Sequence, residues 1–149
     1  MVLPALLSAV HILALAIGMA AVVVRGQALA GRLDDAGWRR LLAADSAWGL
    51  AALLWIATGF ARVFYGDKSP DFYWSNGFFH LKLTLFLLVF ALELSPMIAF
   101  IKVRSARARG AALPAVAVER LRRINAIEIG LVVAIVFVAP FMARGIWLF

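Results

Sequence analysis

Four runs of almost unbroken apolar residues divide the chain, at about 3–24, 47–64, 77–103 and 124–142, and polar residues gather between them. A bilayer crossing takes about 20 mainly apolar residues, so each run is long enough to span. The third exceeds the minimum and has room to tilt, and Pro96 within it predicts a kink. The pattern predicts an all-α fold, a single integral-membrane four-helix domain over residues 1–149, with no soluble domain and no internal repeat. The first run lacks a basic leader and is longer than a signal-peptide core, so it reads as a retained span. Two connecting stretches, GRLDDAGWRRLLAAD and LPAVAVERLRRI, alternate as short amphipathic helices that lie at the interface or extend the following span. The connection YGDKSPDFYWSNG instead combines belt aromatics (Tyr65, Phe72, Tyr73, Trp74) with the breakers Gly66, Pro70 and Gly77. A short apolar tail, IWLF, is expected at the outer face.

Composition strengthens this reading and adds direction. Of 149 residues, 65% are hydrophobic, well above the roughly 45–50% of soluble domains. The net charge of +7 is bunched. Arg25, Arg32, Arg39 and Arg40 lie between the first two runs, and Lys102, Arg104, Arg107, Arg109, Arg120, Arg122 and Arg123 between the last two. The middle connection has only Arg62 at its edge and Lys68. Positive-inside bias therefore predicts both basic loops in the cytoplasm and both termini outside. The basic residues read as topology signals and contacts to anionic lipid, not as a nucleic-acid surface.

Ionisable residues inside the runs are costly and mark function or pairing. His11 lies roughly 12 Å below the outer edge at about 1.5 Å per residue. His80, Lys82, Arg62 and Arg144 are expected in the same outer half, against the trend of the loops. A second group faces the cytoplasm: Glu93, about 16 Å below Lys82 on the same span, with Glu128, Asp45 and Arg25. That group reads either as an ion-pair network or as a proton route. Lys82 and Glu93 are separated by about 20° around an ideal helix, whereas His80 is about 200° from Lys82 and shares a stripe with Thr84, Ala91 and Ser95. His80 and Lys82 thus do not both face one cavity, and the acid-bearing stripe favours Lys82. On the first span His11, Ala14, Gly18 and Arg25 share a face. On the second, Trp48, Trp55, Gly59 and Arg62 align. The small residues invite close approach of a helix or flat ligand and suggest a homo-oligomer.

An apolar bundle with an intramembrane histidine is a natural host for haem b. His11 is the candidate iron ligand, Lys82 or His80 a second ligand or electrostatic partner, and Arg62, Lys82 or Arg144 candidates for the propionates. With no cysteine, disulfides, thiolate metal sites and Cys-ligated clusters are excluded. No nucleophile elbow, GxGxxG or phosphate-cradling glycine loop occurs. A retinal Schiff base on Lys82 would have a meagre four-helix cage. Copper would need more His and Met at one depth than His11, His80, Met19, Met97 and Met142 supply.

The strings DSAWGLAALLWIATGFARVFYGDKSPDFYWSN, HLKLTLF and APFMARG closely resemble a family of small bacterial four-helix membrane proteins catalogued as a domain of unknown function (2214). The resemblance covers nearly the whole chain and implies the bacterial inner membrane without supplying an activity. More distantly, His11 early in the first span and Phe79-His80-Leu81-Lys82-Leu83 at the start of the third resemble HemJ-type protoporphyrinogen oxidases. That resemblance implies a functional His11–Lys82 pair and bound haem b, while the middle connection and the ATGFARVFYG and MARG strings depart from that family. The expected function is haem-based electron transfer, with an unidentified redox partner, or oxidation of a hydrophobic small-molecule reductant such as a porphyrinogen or quinol. The rivals are a proton-coupled transporter or channel-like protein using His11, Lys82, Glu93 and Glu128, and a structural subunit without ligand.

Overall fold

The computed structural model describes residues 2–146, so the tail beyond Ile146 lies outside the described residues. Four long helices are long and apolar enough to cross a membrane, as the apolar runs predict: α1 (Val2–Ala30), α2 (Asp35–Tyr65), α4 (Gly77–Ala108) and α5 (Val118–Ala143), with a short α3 (Pro70–Trp74) between α2 and α4. The helices outrun the apolar segments because their basic ends stay helical. The stretch before 47 extends α2, and Val118 onward extends α5. The aromatic connection is more ordered than its glycines and proline suggest. Pro70 opens the single-turn α3, and Tyr73 is buried.

Local chemistry sets the helix ends. Asp34 caps α2 by accepting from the Gly37 N–H at 2.9 Å, and Asn76 caps α4 by accepting from the Phe78 N–H at 2.9 Å. The Asn76 amide also donates to the Ile146 carbonyl at 3.1 Å, tying the start of α4 to the end of α5. Two glycines stop helices in the left-handed conformation. Gly110 (φ 61°) and Gly145 (φ 71°) let Ala111 and Ile146 donate back to Ala106 and Phe141, the glycine-terminated motif that satisfies the last carbonyls. Pro96 removes one backbone donor inside α4, yet the helix runs on through it.

α1 packs closely on α2 and on α5, and α4 packs on α5. The approach of α1 to α2 depends on Gly18, where a Cβ would stand 3.3 Å from Ala51 Cβ and from the Trp48 ring. The core is built in layers. At the arginine-rich end Ala28, Leu29, Trp38, Leu41, Phe100, Val103 and Leu121 pack together. Next come Ala21, Val22, Trp48, Val89 and Val132, then Ala14, Trp55 and Ile135. Val63, Tyr73 and Met142 close the α3 end. Side chains such as Leu53, Phe137 and Ile12 point outward and stay exposed, the inverse of a soluble protein and suited to lipid contact.

Candidate functional site

Between the C-terminal turns of α2 and the N-terminal turns of α4, next to α3, lies a cavity of about 140 Å³ that is open on one side. Its walls are apolar, including Ile56, Phe60, Phe79, Leu83, Phe86 and Ile135. Side chains with a polar atom reach it from four helices: His11 from α1, Trp55 from α2, Trp74 from α3 and Lys82 from α4.

His11 is buried, and its Nδ1 lies 2.9 Å from Thr58 Oγ1. The Thr58 hydroxyl spends its own proton on the Leu54 carbonyl at 2.6 Å. It therefore accepts from His11, which fixes the tautomer: Nδ1 carries the hydrogen and Nε2 keeps a bare lone pair. No described residue hydrogen-bonds Nε2. Gly59 leaves the imidazole edge uncovered, since a Cβ there would touch Cε1 at 3.5 Å. Trp55 packs against the imidazole with centroids 5.7 Å apart, and its buried indole N–H has no partner among the described residues. The site thus combines one free imidazole nitrogen, one unused N–H donor and one half-buried ammonium, all on apolar walls.

The other expected site residues separate from this group. His80 is exposed, and its Nε2 donates to the Trp74 carbonyl at 2.8 Å, so its ring is held outside the cavity. Arg62, one stripe around α2, lines a separate polar space beneath α3. Arg144 is exposed at the end of α5. Neither arginine lines the cavity. Gly18 and Gly59 are both used inside the chain, against α2 and against His11. These two glycines therefore serve packing within the chain.

At the opposite end Arg25, Asp45, Glu93 and Glu128 form one network. The fully buried Arg25 guanidinium donates from Nε to Asn125 at 2.7 Å and from Nη1 to Asp45 at 3.2 Å and to both Glu93 oxygens at 2.9 Å. Its Nη2 donates to Glu128. Trp48 donates to Glu93 at 2.9 Å and lies 5.8 Å from the guanidinium carbon. Arg104 closes the outer side, donating to Asp45 and to the Leu42 carbonyl, each at 2.8 Å. The network takes a side chain from each of α1, α2, α4 and α5, so it ties all four spans together. Glu128 Oε1 is its one buried oxygen without a partner among the described residues.

Sequence reasoning missed Thr58, Asn125 and Arg104. Thr58 had a signal, since it stands three residues after Trp55 and four before Arg62 on the inward face of α2. Asn125 likewise precedes Glu128 by three. Arg104 read only as a loop charge.

The model of the family described as "Predicted membrane protein (DUF2214)" matches residues 3–146, and the chain belongs to that family. No curated protein and no solved structure matches it.

Proposed function

We propose that this member of the DUF2214 membrane family is a haem b-binding protein of the bacterial inner membrane, with both termini outside. It transfers electrons to or from, or oxidises, a hydrophobic reductant of the quinol or porphyrinogen type. One observation carries this reading: His11, anchored through Nδ1 to Thr58, lines an apolar cavity, and its Nε2 has no described partner. Metal-binding imidazoles usually have their second nitrogen tied in this way, which fixes tautomer and ring orientation.

The residues fit the group in donor type. Among the described residues no three His, Cys, Asp or Glu side chains gather as ligands for a bare ion. The metal chemistry that suits a lone imidazole is therefore that of an iron bringing its own equatorial nitrogens. The cavity, at about 140 Å³, is smaller than a macrocycle and than the roughly 300–1,000 Å³ of ligand sites, so a ring would have to extend through its open mouth. When bound, haem supplies one-electron iron chemistry. His11 would hold the iron through its imidazole. Lys82 would neutralise a propionate or, unprotonated, offer a second nitrogen. Phe79, Phe86 and Ile135 would keep water away, and the mouth between α2 and α4 gives a lipophilic reductant a route in from the bilayer.

The test is an absorption spectrum of detergent-purified protein, oxidised and dithionite-reduced. A Soret band with sharp reduced α and β bands is expected, lost in His11→Ala and retained in His80→Ala. A protein that stays colourless after haem is supplied overturns the reading. The proton-coupled alternative draws on the partnerless Glu128 Oε1; proton flux in liposomes that changes with Glu93→Gln would favour it.

A further inference from the structure

A second space of about 170 Å³ lies beneath α3, on the other side of the Val63–Tyr73–Met142 cluster from the apolar cavity. Five polar side chains line it: Ser8 of α1, Arg62 of α2, Asp67 and Lys68 of the connection, and Tyr73 of α3. Arg62 is half-buried and forms no hydrogen bond or ion pair with any described residue. The hydroxyls of Ser8 and Tyr73 are also without a described partner, although Tyr73 is only 7% exposed. Lys68 sits at the edge, its Nζ 5.2 Å from the Phe72 ring centre. Asp67, the one acid, is exposed and pairs with neither cation.

None of the three donors is sealed from solvent, but all reach one space without a protein partner, which leaves them free for an incoming acceptor. A guanidinium offers only donors. Burial holds the Tyr73 phenol above its ordinary range, so it too is a neutral O–H donor. The lining has two cations against one carboxylate, a formal charge of +1. Its volume is below the roughly 300 Å³ at which drug-sized ligands begin. The chemistry that meets all these conditions is a small oxyanion.

We infer that this vestibule binds a phosphate group, held by Arg62, Ser8 and Tyr73 and carried by a phospholipid headgroup or taken up as the free ion. Arg62 and Lys68 supply the countercharge, and the hydroxyls orient the oxygens. The site is separate from the apolar cavity and does not depend on what that cavity holds.

The probes are inorganic phosphate and phosphatidylglycerol. Protein in a neutral maltoside detergent is titrated with phosphate against chloride at constant ionic strength, and the thermal midpoint is followed. In parallel, native mass spectrometry measures retention of phosphatidylglycerol against diacylglycerol, which lacks the phosphate. A midpoint raised by phosphate assigns the free ion. Selective retention of phosphatidylglycerol without a phosphate effect assigns the headgroup. In either case apparent affinity should fall at least tenfold in Arg62→Gln and measurably in Tyr73→Phe, the milder variant that keeps the ring packing should Arg62→Gln not fold. Phosphate acting no differently from chloride, together with unselective lipid retention, overturns the inference. So does wild-type binding by both variants.

Discussion

Arg25→Met is the sharpest perturbation of the fold. The substitution keeps a long apolar stem but removes the donors that hold Asp45, Glu93, Glu128 and Asn125. Arg104 still pairs with Asp45, so the loss falls on Glu93 and on the fully buried Glu128. Removing one member of a buried ion pair costs about 3–5 kcal/mol, because the remaining charge stays desolvated and unpaired. For a chain of this size that corresponds to a fall of about 10 °C or more in the thermal midpoint. Unfolding in detergent, followed by tryptophan fluorescence, is a direct readout because Trp48 lies against the guanidinium. The double variant Arg25→Met/Glu128→Gln removes the carboxyl left without its guanidinium and should recover part of the loss, a coupling that a double-mutant cycle isolates. A single variant within about 0.5 kcal/mol of wild type, the range of ordinary surface changes, would falsify the reasoning. A double variant no better than the single one would show that Glu128 is not the stranded partner.

Three further outcomes test the rest. Thr58→Val preserves shape but takes the acceptor from His11 Nδ1; haem affinity should fall about 10–100-fold, the usual effect of losing such a support, with helicity by circular dichroism unchanged. Gly59→Leu places a side chain over the imidazole edge and should abolish the Soret band in a folded protein; a normal spectrum would place the ligand elsewhere. Gly18→Leu wedges α1 from α2 where a Cβ already meets Ala51 and Trp48 at 3.3 Å. It should destabilise by about 1–3 kcal/mol, as overpacking does, measured by thermal unfolding.

The spans were legible because a segment in lipid must satisfy its backbone internally, so long apolar runs read as helices whatever their neighbours. Membership of Arg25, Asp45, Glu93 and Glu128 in one group was legible for a related reason: charges at similar depth in an apolar bundle have few partners except each other. Depth along a helix follows from counting residues. Rotation is harder to read, since it depends on how four helices pack. The phase shared by Lys82 and Glu93 was enough to favour Lys82 for the cavity face, which it does line. The same reasoning grouped Arg62 with His11 and Lys82, whereas depth alone does not show that Arg62 lines the space beneath α3. Thr58 was invisible as a partner until α1 and α2 were brought together.

The two ends of the bundle arrange their polar groups differently. At the arginine-rich end every guanidinium donor of Arg25 is directed at an acceptor or an aromatic face, the acids converge on it, and only Glu128 Oε1 is left over. At the α3 end His11 Nε2, Trp55 Nε1, Arg62, Ser8 and Tyr73 are all without described partners. Native proteins leave few buried polar groups unsatisfied, and each exception asks for an explanation. Only two buried side-chain atoms lack a partner among the described residues, one at each end, Trp55 Nε1 and Glu128 Oε1. The α3 end differs in that its other partnerless polar groups border two spaces. The network joins all four spans at the arginine-rich end, and the proposed haem and phosphate sites would both draw on the opposite end.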